Sequence, residues 1–318
     1  MKKKVIIIVV AALVVAAAAV GAVLLWNPSK SEVYNEGTAE KKSEVSWVSK
    51  QDKKQHKTAV YSLGATAQAL RDELSEEVVI EHKRVDDVYI YEMYQGGEKD
   101  KKILFFLHGQ ASRKEEFLNE MLGYAERGYY CVTMDLPGYG ERLTDKPMMS
   151  LQITEQASED LDFLLDYYEA CAIADTGQFA IIGLSQGGST AYLYAAYGKR
   201  TPKAIVVGSS TPDFTFFKDN TCIANGKTVD AVWDEKQIKD FIRQKNPVNQ
   251  IEKFYTLPIM SGNSIDDPIV TYKGSEAFEL KLKDKNKYMR FYYFDGEKHN
   301  VSKAYMQNIP QFLQQYLK

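Results

Sequence analysis

Cysteine and histidine are both scarce in this chain of 318 residues, and their scarcity excludes several kinds of site. Three cysteines are too few and too widely spaced for a disulfide framework or a thiolate metal site. They are Cys131, Cys171 and Cys222. Any reaction that uses an imidazole base must draw on one of four histidines. They are His56, His82, His108 and His299.

A large excess of charge is also absent. The net charge is −3 at pH 7, and no dense basic stripe follows the N-terminal region. The composition therefore predicts no nucleic-acid partner. Beyond the N-terminal segments, roughly 250 to 260 residues remain, and α/β architectures commonly use that much chain as one domain.

One long apolar run stands at the start of the chain. Residues 5 to 26 contain no charged side chain, and three lysines precede them. This length fits a helix that crosses a bilayer and exceeds the usual apolar region of a cleaved signal peptide. Residues 1–26 are therefore predicted to be a transmembrane signal-anchor, with the catalytic domain on the extracytoplasmic side. The alternative is a signal peptide cleaved near Ala19–Ala22, which would leave a secreted protein.

Residues 27–58 are polar, charged and nearly free of apolar periodicity. A segment of this kind buries too little apolar surface to offset its chain entropy, so it is predicted to be a tether with a solvated His56. The folded domain is then expected to span residues 59–318.

Within that domain, continuous apolar runs alternate with segments of helical periodicity. Examples of the apolar runs are KKILFFLHG, QFAIIGLS and KAIVVGSS. The alternation predicts an α/β fold with a mostly parallel central sheet and helices on both faces, whose chemistry lies at the carboxyl ends of the strands. Two alternating segments around residues 85–87 predict an antiparallel pair at the edge of this sheet.

A small lid insertion is expected at about residues 211–256. Four of its aromatic side chains are candidates either for the wall of an apolar acyl pocket or for ordinary core packing. They are Phe214, Phe216, Phe217 and Trp233.

The clearest chemical motif is Gly183-Leu184-Ser185-Gln186-Gly187, which has the form G-x-S-x-G. It stands between a predicted buried strand and a predicted helix, as a nucleophile elbow does. Glycines on both sides permit a tight turn, and the following helix supplies backbone N–H groups. Ser185 is therefore the candidate nucleophile.

A serine nucleophile requires a base and a group that orients the base. His299 follows the last predicted strand and is the only histidine beyond Ser185, so it is the candidate base. Asp266 and Asp267 follow the preceding strand and are alternative acids. The backbone N–H groups of Gln110 and Gln186 are candidate donors of an oxyanion hole.

These landmarks together resemble the α/β-hydrolase superfamily from about residue 78 to the end. The resemblance rests on His108-Gly109, the loop that starts at Asp135, GLSQGG, DDPIV and GEKHN. It implies structural roles for Asp135 and His108. The family usually leaves two residues between a glycine and the acid, whereas three residues follow Gly262 here. Because the spacing of Asp267 to Val270 matches the family, Asp267 is preferred over Asp266.

The resemblance extends to serine esterases and to prolyl-oligopeptidase-like hydrolases. It implies hydrolysis of a carboxylic ester of small to medium size through an acyl-enzyme, with no metal or organic cofactor. A peptidase or a thioesterase uses the same residues and stays an alternative. The other class is a non-catalytic, membrane-anchored binding module with the shape of a hydrolase.

Overall fold

The structure is a computed structural model that describes residues 39–96, 100–217 and 221–318. The signal-anchor predicted at residues 1–26 lies outside the described residues. Within them, no helix has both the length and the apolar character needed to cross a bilayer.

Among the residues that the structure describes, a sheet of ten strands forms the centre of the fold, and a second sheet of three short strands accompanies it. In chain order the strands are β1 (Lys41–Val48), β2 (Gln55–Tyr61), β3 (Val78–Val85), β4 (Val88–Gln95), β5 (Lys102–Leu107), β6 (Tyr130–Met134), β7 (Met148–Met149), β8 (Asp175–Leu184), β9 (Ala204–Gly208), β10 (Cys222–Ala224), β11 (Lys227–Val229), β12 (Ile259–Ser264) and β13 (Met289–Phe294). The order in the large sheet is β1-β2-β3-β4-β6-β5-β8-β9-β12-β13. The strands from β6 to β13 in this order are parallel, and those from β1 to β4 are antiparallel.

Helices cover both faces of the large sheet, as predicted. They are α1 (Ala65–Glu73), α2 (Leu118–Ala125), α3 (Ser150–Ala170), α4 (Gln186–Tyr197), α5 (Glu235–Lys245), α6 (Lys273–Leu282) and α7 (Lys303–Tyr316). Along β5, Phe105 joins a core with α3, α4 and α6, whereas the next residue, Phe106, joins a core with α1, α2 and α7. Because successive residues of a strand face opposite sides, a strand buried on both faces reads as one continuous apolar run.

The tether prediction is wrong from Lys41 onward, because β1 and β2 extend the large sheet at its antiparallel end. In β1 only Trp47 is buried, so the strand carries no alternating apolar pattern. Its indole packs on Phe163 and Tyr167 of α3, with ring centroids 5.7 and 5.3 Å apart. Backbone pairing and a single aromatic anchor thus order a segment whose composition predicts a tether.

Two related expectations also fail at this end of the sheet. The β3–β4 pair is not at the edge, since β2 and then β1 continue the sheet beyond β3. His56 is not simply solvated: its ring stacks on Trp47 at 4.8 Å, and its Nδ1 lies 2.6 Å from Asp86 Oδ2. The folded domain therefore includes Lys41, which is 18 residues before the predicted start at residue 59.

The segment predicted to form a small lid, at about residues 211–256, is partly helical, and its role as a lid stays a prediction. It contains the β10–β11 hairpin, α5 and two 3-10 helices (Phe214–Phe216 and Pro247–Phe254). The hairpin pairs with β7 and not with the large sheet. Phe214 is fully buried in a small separate core, so core packing describes this side chain.

Candidate active site

Ser185 occupies a tight turn between β8 and α4. Its backbone has φ 52° and ψ −114°, a conformation that costs a non-glycine residue about 1–3 kcal/mol. The Ser185 N–H donates to the Gly208 carbonyl at 2.8 Å, which fixes the turn to the end of β9. The strained turn thus holds the serine at the carboxyl edge of the parallel strands.

Two glycines of the motif are required by close backbone approaches. A Cβ at Gly183 would overlap the Gly187 carbonyl, and a Cβ at Gly187 would overlap the Leu107 carbonyl. The second approach brings the end of β5 against the start of α4. The glycines therefore permit both the turn and the close contact between the end of β5 and the start of α4.

Ser185, His299 and Asp267 form one chain of hydrogen bonds. His299 Nε2 lies 2.8 Å from Ser185 Oγ, and His299 Nδ1 lies 2.8 Å from Asp267 Oδ2. His299 and Asp267 are each 9% exposed. The other oxygen of Asp267, Oδ1, accepts the N–H groups of Ile269 at 2.8 Å and Val270 at 3.0 Å. One carboxylate oxygen of Asp267 is therefore held by the backbone of its own loop, and the other contacts the imidazole.

Asp266 does not contact the imidazole in this way. Its Oδ1 accepts hydrogen bonds from the Ser264 hydroxyl and, at 3.2 Å each, from the N–H groups of Gly296 and Lys298. The Ser264 bond is the main cause that holds the pKa of Asp266 below its usual value. The two adjacent aspartates therefore have different partners: Asp267 contacts the imidazole, and Asp266 contacts a hydroxyl and two backbone N–H groups.

The unusual spacing before the acid has a structural cause. β12 continues through Asn263 and Ser264, which pair with Tyr293 and Phe294 of β13. The Asn263 side chain accepts the Ser210 N–H at 3.1 Å, so the strand end is also tied to the segment after β9. Because β12 runs through Ser264, the loop that carries the two aspartates begins three residues after Gly262.

The two predicted oxyanion donors lie at the ends of adjoining elements. Gln186 is the first residue of α4, so its N–H has no acceptor within the helix. Gln110 follows β5, whose end touches the same helix at Gly187. Both residues therefore stand at the carboxyl edge where Ser185 lies, and their use as oxyanion donors stays a prediction.

His108 has the structural role that the resemblance implies. Its Nδ1–H donates to the Gly109 carbonyl at 2.7 Å, and its Nε2 accepts the Leu136 N–H at 3.0 Å. Burial lowers the pKa of His108 to about 4, so the ring is neutral near pH 7. The ring ties the loop after β5 to the loop after β6.

Asp135 is likewise structural. It is fully buried, and its Oδ2 accepts the Lys114 ammonium at 2.8 Å and the Glu141 N–H at 3.0 Å. Lys114 is the buried partner that the sequence did not reveal. In the sequence, Lys114 stands in a charged segment that is typical of the start of a surface helix, so nothing local indicates that it is buried.

Tyr139, which stands between two glycines in the same loop, is a further side chain near the site that no sequence motif indicates. Its hydroxyl makes a long contact of 3.4 Å to the Gln186 side-chain oxygen, and its ring packs edge-on against His108. The loop after β6 thus reaches the elbow helix through this side chain.

A serine raised on a strained strand-to-helix turn, within a parallel sheet covered by helices, defines a serine hydrolase of the α/β-hydrolase superfamily. The chain belongs to the prolyl oligopeptidase family, whose model matches residues 116–318. The match covers nearly two thirds of the 318 residues and includes the whole Ser185–His299–Asp267 chain of hydrogen bonds.

Individual relatives are distant. The putative esterase YitV of Bacillus subtilis (strain 168) is 22% identical over an alignment of 228 residues that covers 68% of this chain and 89% of the relative. An acetyl xylan esterase from Paenibacillus sp. R4 is 16% identical, with a TM-score of 0.55 over 79% of this chain and 92% of that chain. A puromycin-hydrolyzing peptidase of Mycobacterium tuberculosis is 18% identical, with a TM-score of 0.62 over 86% of this chain. This chain spans 46% of the length of that peptidase. At these identities, the two structures establish a shared fold.

Proposed function

We propose that the protein hydrolyses a carboxylic ester through an acyl-enzyme formed on Ser185. The observation that carries the proposal is the pair of 2.8 Å contacts that link Ser185, His299 and Asp267. In this arrangement Ser185 is the nucleophile, His299 the general base and Asp267 the group that orients the imidazole.

In the acylation step, Ser185 Oγ attacks the ester carbonyl carbon while His299 Nε2 accepts the hydroxyl proton. Asp267 accepts the hydrogen bond from Nδ1–H and stabilises the imidazolium that forms. The N–H groups of Gln110 and Gln186 stabilise the negative charge on the former carbonyl oxygen. Collapse of the tetrahedral intermediate breaks the bond to the alcohol, which takes its proton from His299.

Deacylation uses the same residues in the same order. His299 removes a proton from water, and the resulting hydroxide attacks the acyl carbon. The carboxylic acid leaves as Ser185 Oγ recovers a proton from His299 Nε2. The protein then returns to its starting protonation state.

An ester is the proposed substrate because a relative that aligns with 68% of this chain, YitV, is a putative esterase. A peptide or acyl amide is the second candidate, and membership in the prolyl oligopeptidase family favours it. An amine is a poorer leaving group than an alcohol, so activity on amides makes a stronger demand on protonation by His299.

One experiment tests both the serine hydrolase mechanism and the preference for esters over amides. The purified protein and its Ser185→Ala variant are treated with a fluorophosphonate probe, and then assayed on p-nitrophenyl esters of rising acyl length and on aminoacyl amides. We expect stoichiometric labelling of the wild type at Ser185 and turnover of short or medium esters above that of amides. An unlabelled wild type would show that the protein is not a serine hydrolase, and equal labelling of the variant would show that Ser185 is not the nucleophile. Faster turnover of amides would assign a peptidase.

The location of the domain is a separate proposal that rests on residues 1–26. We propose a membrane-anchored protein with its catalytic domain outside the cytoplasm, because an uncharged run of 22 residues follows three lysines. Fractionation of cells that express the full chain should recover it in the membrane pellet, accessible to added protease. Recovery from the medium as a shortened chain would instead indicate cleavage and secretion.

A further inference from the structure

We propose that Asp266 is a positioning residue, whose carboxylate holds the turn that carries His299. The inference rests on the proposed function, since it assigns to His299 the role of the base. It gives the two adjacent aspartates different tasks: Asp267 orients the imidazole, and Asp266 orients the backbone that bears it.

The acid loop and the His299 turn leave two neighbouring strands. β12 and β13 are parallel and end level with each other, with Ser264 paired to Phe294. The acid loop leaves β12 at Ile265, and the turn that bears His299 leaves β13 at residue 295. Both loops therefore begin side by side at the same edge of the sheet.

Three consecutive residues of the acid loop then contact the end of β13 and the turn that follows it. The Ile265 N–H donates to the Phe294 carbonyl at 2.8 Å. Asp266 Oδ1 accepts the N–H groups of Gly296 and Lys298, each at 3.2 Å. Asp267 Oδ2 lies 2.8 Å from the imidazole. Hydrogen bonds between the two segments thus continue beyond the ends of β12 and β13, and Asp266 accepts two of them.

The turn itself requires such support. Gly296 has φ 84° and Lys298, directly before His299, has φ 53°. A left-handed conformation is unfavourable for lysine and persists where surrounding contacts impose it. The N–H of that same lysine donates to Asp266, so the carboxylate acts on the residue adjacent to the base.

The carboxylate is itself oriented. The Ser264 hydroxyl donates to Oδ1, the atom that receives the two backbone N–H groups. Ser264 lies within β12 and is fully buried. An exposed aspartate is thereby held by a rigid strand, and its acceptor oxygen stays directed at the turn.

The test compares Asp266→Ala, which removes the acceptor, with Asp266→Asn, which keeps an acceptor oxygen but removes the charge. For Asp266→Ala we expect kcat on the ester substrate to fall about 10- to 100-fold with KM within about twofold, because a displaced base impairs the chemical step. For Asp266→Asn we expect kcat within about threefold of the wild type. Glu297→Ala is the matched control, since it removes a carboxylate of the same turn other than the two that accept the Gly296 N–H, Asp266 and Asp295, and it should leave kcat unchanged.

A second measurement does not depend on turnover. The proton between His299 and Asp267 should give a downfield ¹H resonance in the wild type, and Asp266→Asn should preserve it. In Asp266→Ala the resonance should broaden or disappear while far-UV circular dichroism is unchanged. If the wild type shows no hydrolase activity but the resonances behave in this way, the proposed function fails and the positioning role stands.

Three outcomes would overturn the positioning role. They are an Asp266→Ala variant that keeps both kcat and the downfield resonance, an Asp266→Asn variant that loses as much kcat as Asp266→Ala, and an effect confined to KM. The second outcome would mean that charge, and not the acceptor geometry, is what Asp266 supplies. The third would place Asp266 in substrate binding.

Discussion

Ser185→Ala and His299→Ala are each expected to lower kcat by about 10⁵- to 10⁶-fold, and the double variant should lose no more than either single variant. The reason is that the two side chains act as one unit. His299 Nε2, 2.8 Å from Ser185 Oγ, has no proton to accept once the hydroxyl is gone, and the hydroxyl is a poor nucleophile without a base. Removal of either partner therefore removes the whole covalent pathway.

The measurement is kcat on a chromogenic ester for the wild type, the two single variants and the double variant. Circular dichroism and thermal unfolding of each variant serve as controls for folding. Independent effects would multiply in the double variant, and such a result would mean that the two residues do not form a nucleophile–base pair. Retention of more than a few per cent of kcat by Ser185→Ala would assign the nucleophile elsewhere.

The second large effect is expected at Asp267. Asp267→Asn should lower kcat by about 10³- to 10⁴-fold with a small change in KM. The amide that replaces the carboxylate can donate to His299 Nδ1, which favours the tautomer with its proton on Nε2. That tautomer cannot accept the Ser185 proton. The 2.8 Å contact to Asp267 Oδ2 is therefore expected to determine which nitrogen is basic.

The adjacent Asp266→Asn variant is the matched control for this substitution. It makes the same chemical change one residue earlier, in a carboxylate that contacts backbone N–H groups and not the imidazole. Equal losses for both variants would contradict the assignment of Asp267 as the acid. Comparable unfolding temperatures are needed for the comparison, because Asp267 also caps the N–H groups of Ile269 and Val270.

The parallel part of the fold was predictable because its strands are buried on both faces. A continuous run such as KKILFFLHG is apolar throughout, so it shows in the sequence without any neighbour. β1 gave no such signal. Trp47 is its one buried side chain, and its partners Phe163 and Tyr167 stand more than a hundred residues away. A strand ordered by distant contacts carries little local pattern.

Within the site, the same contrast separates Ser185 from Asp266. The elbow serine is marked locally, since the turn needs glycine at Gly183 and Gly187 and both lie within two residues of it. The task of Asp266 depends on the N–H groups of Gly296 and Lys298, about thirty residues further along the chain. The residue spacing within DDPIV therefore cannot predict which backbone N–H groups Asp266 contacts.

The sequence by itself determined the class of this protein. The buried strands and the glycines around Ser185 are local patterns in the sequence. The order of Ser185, the aspartate pair and His299 can be read directly along the chain. The tertiary structure decided which aspartate meets the imidazole, where the folded domain begins, and that Lys114 neutralises the buried Asp135. These depend on which distant segments lie side by side, and that is fixed when the sheet assembles.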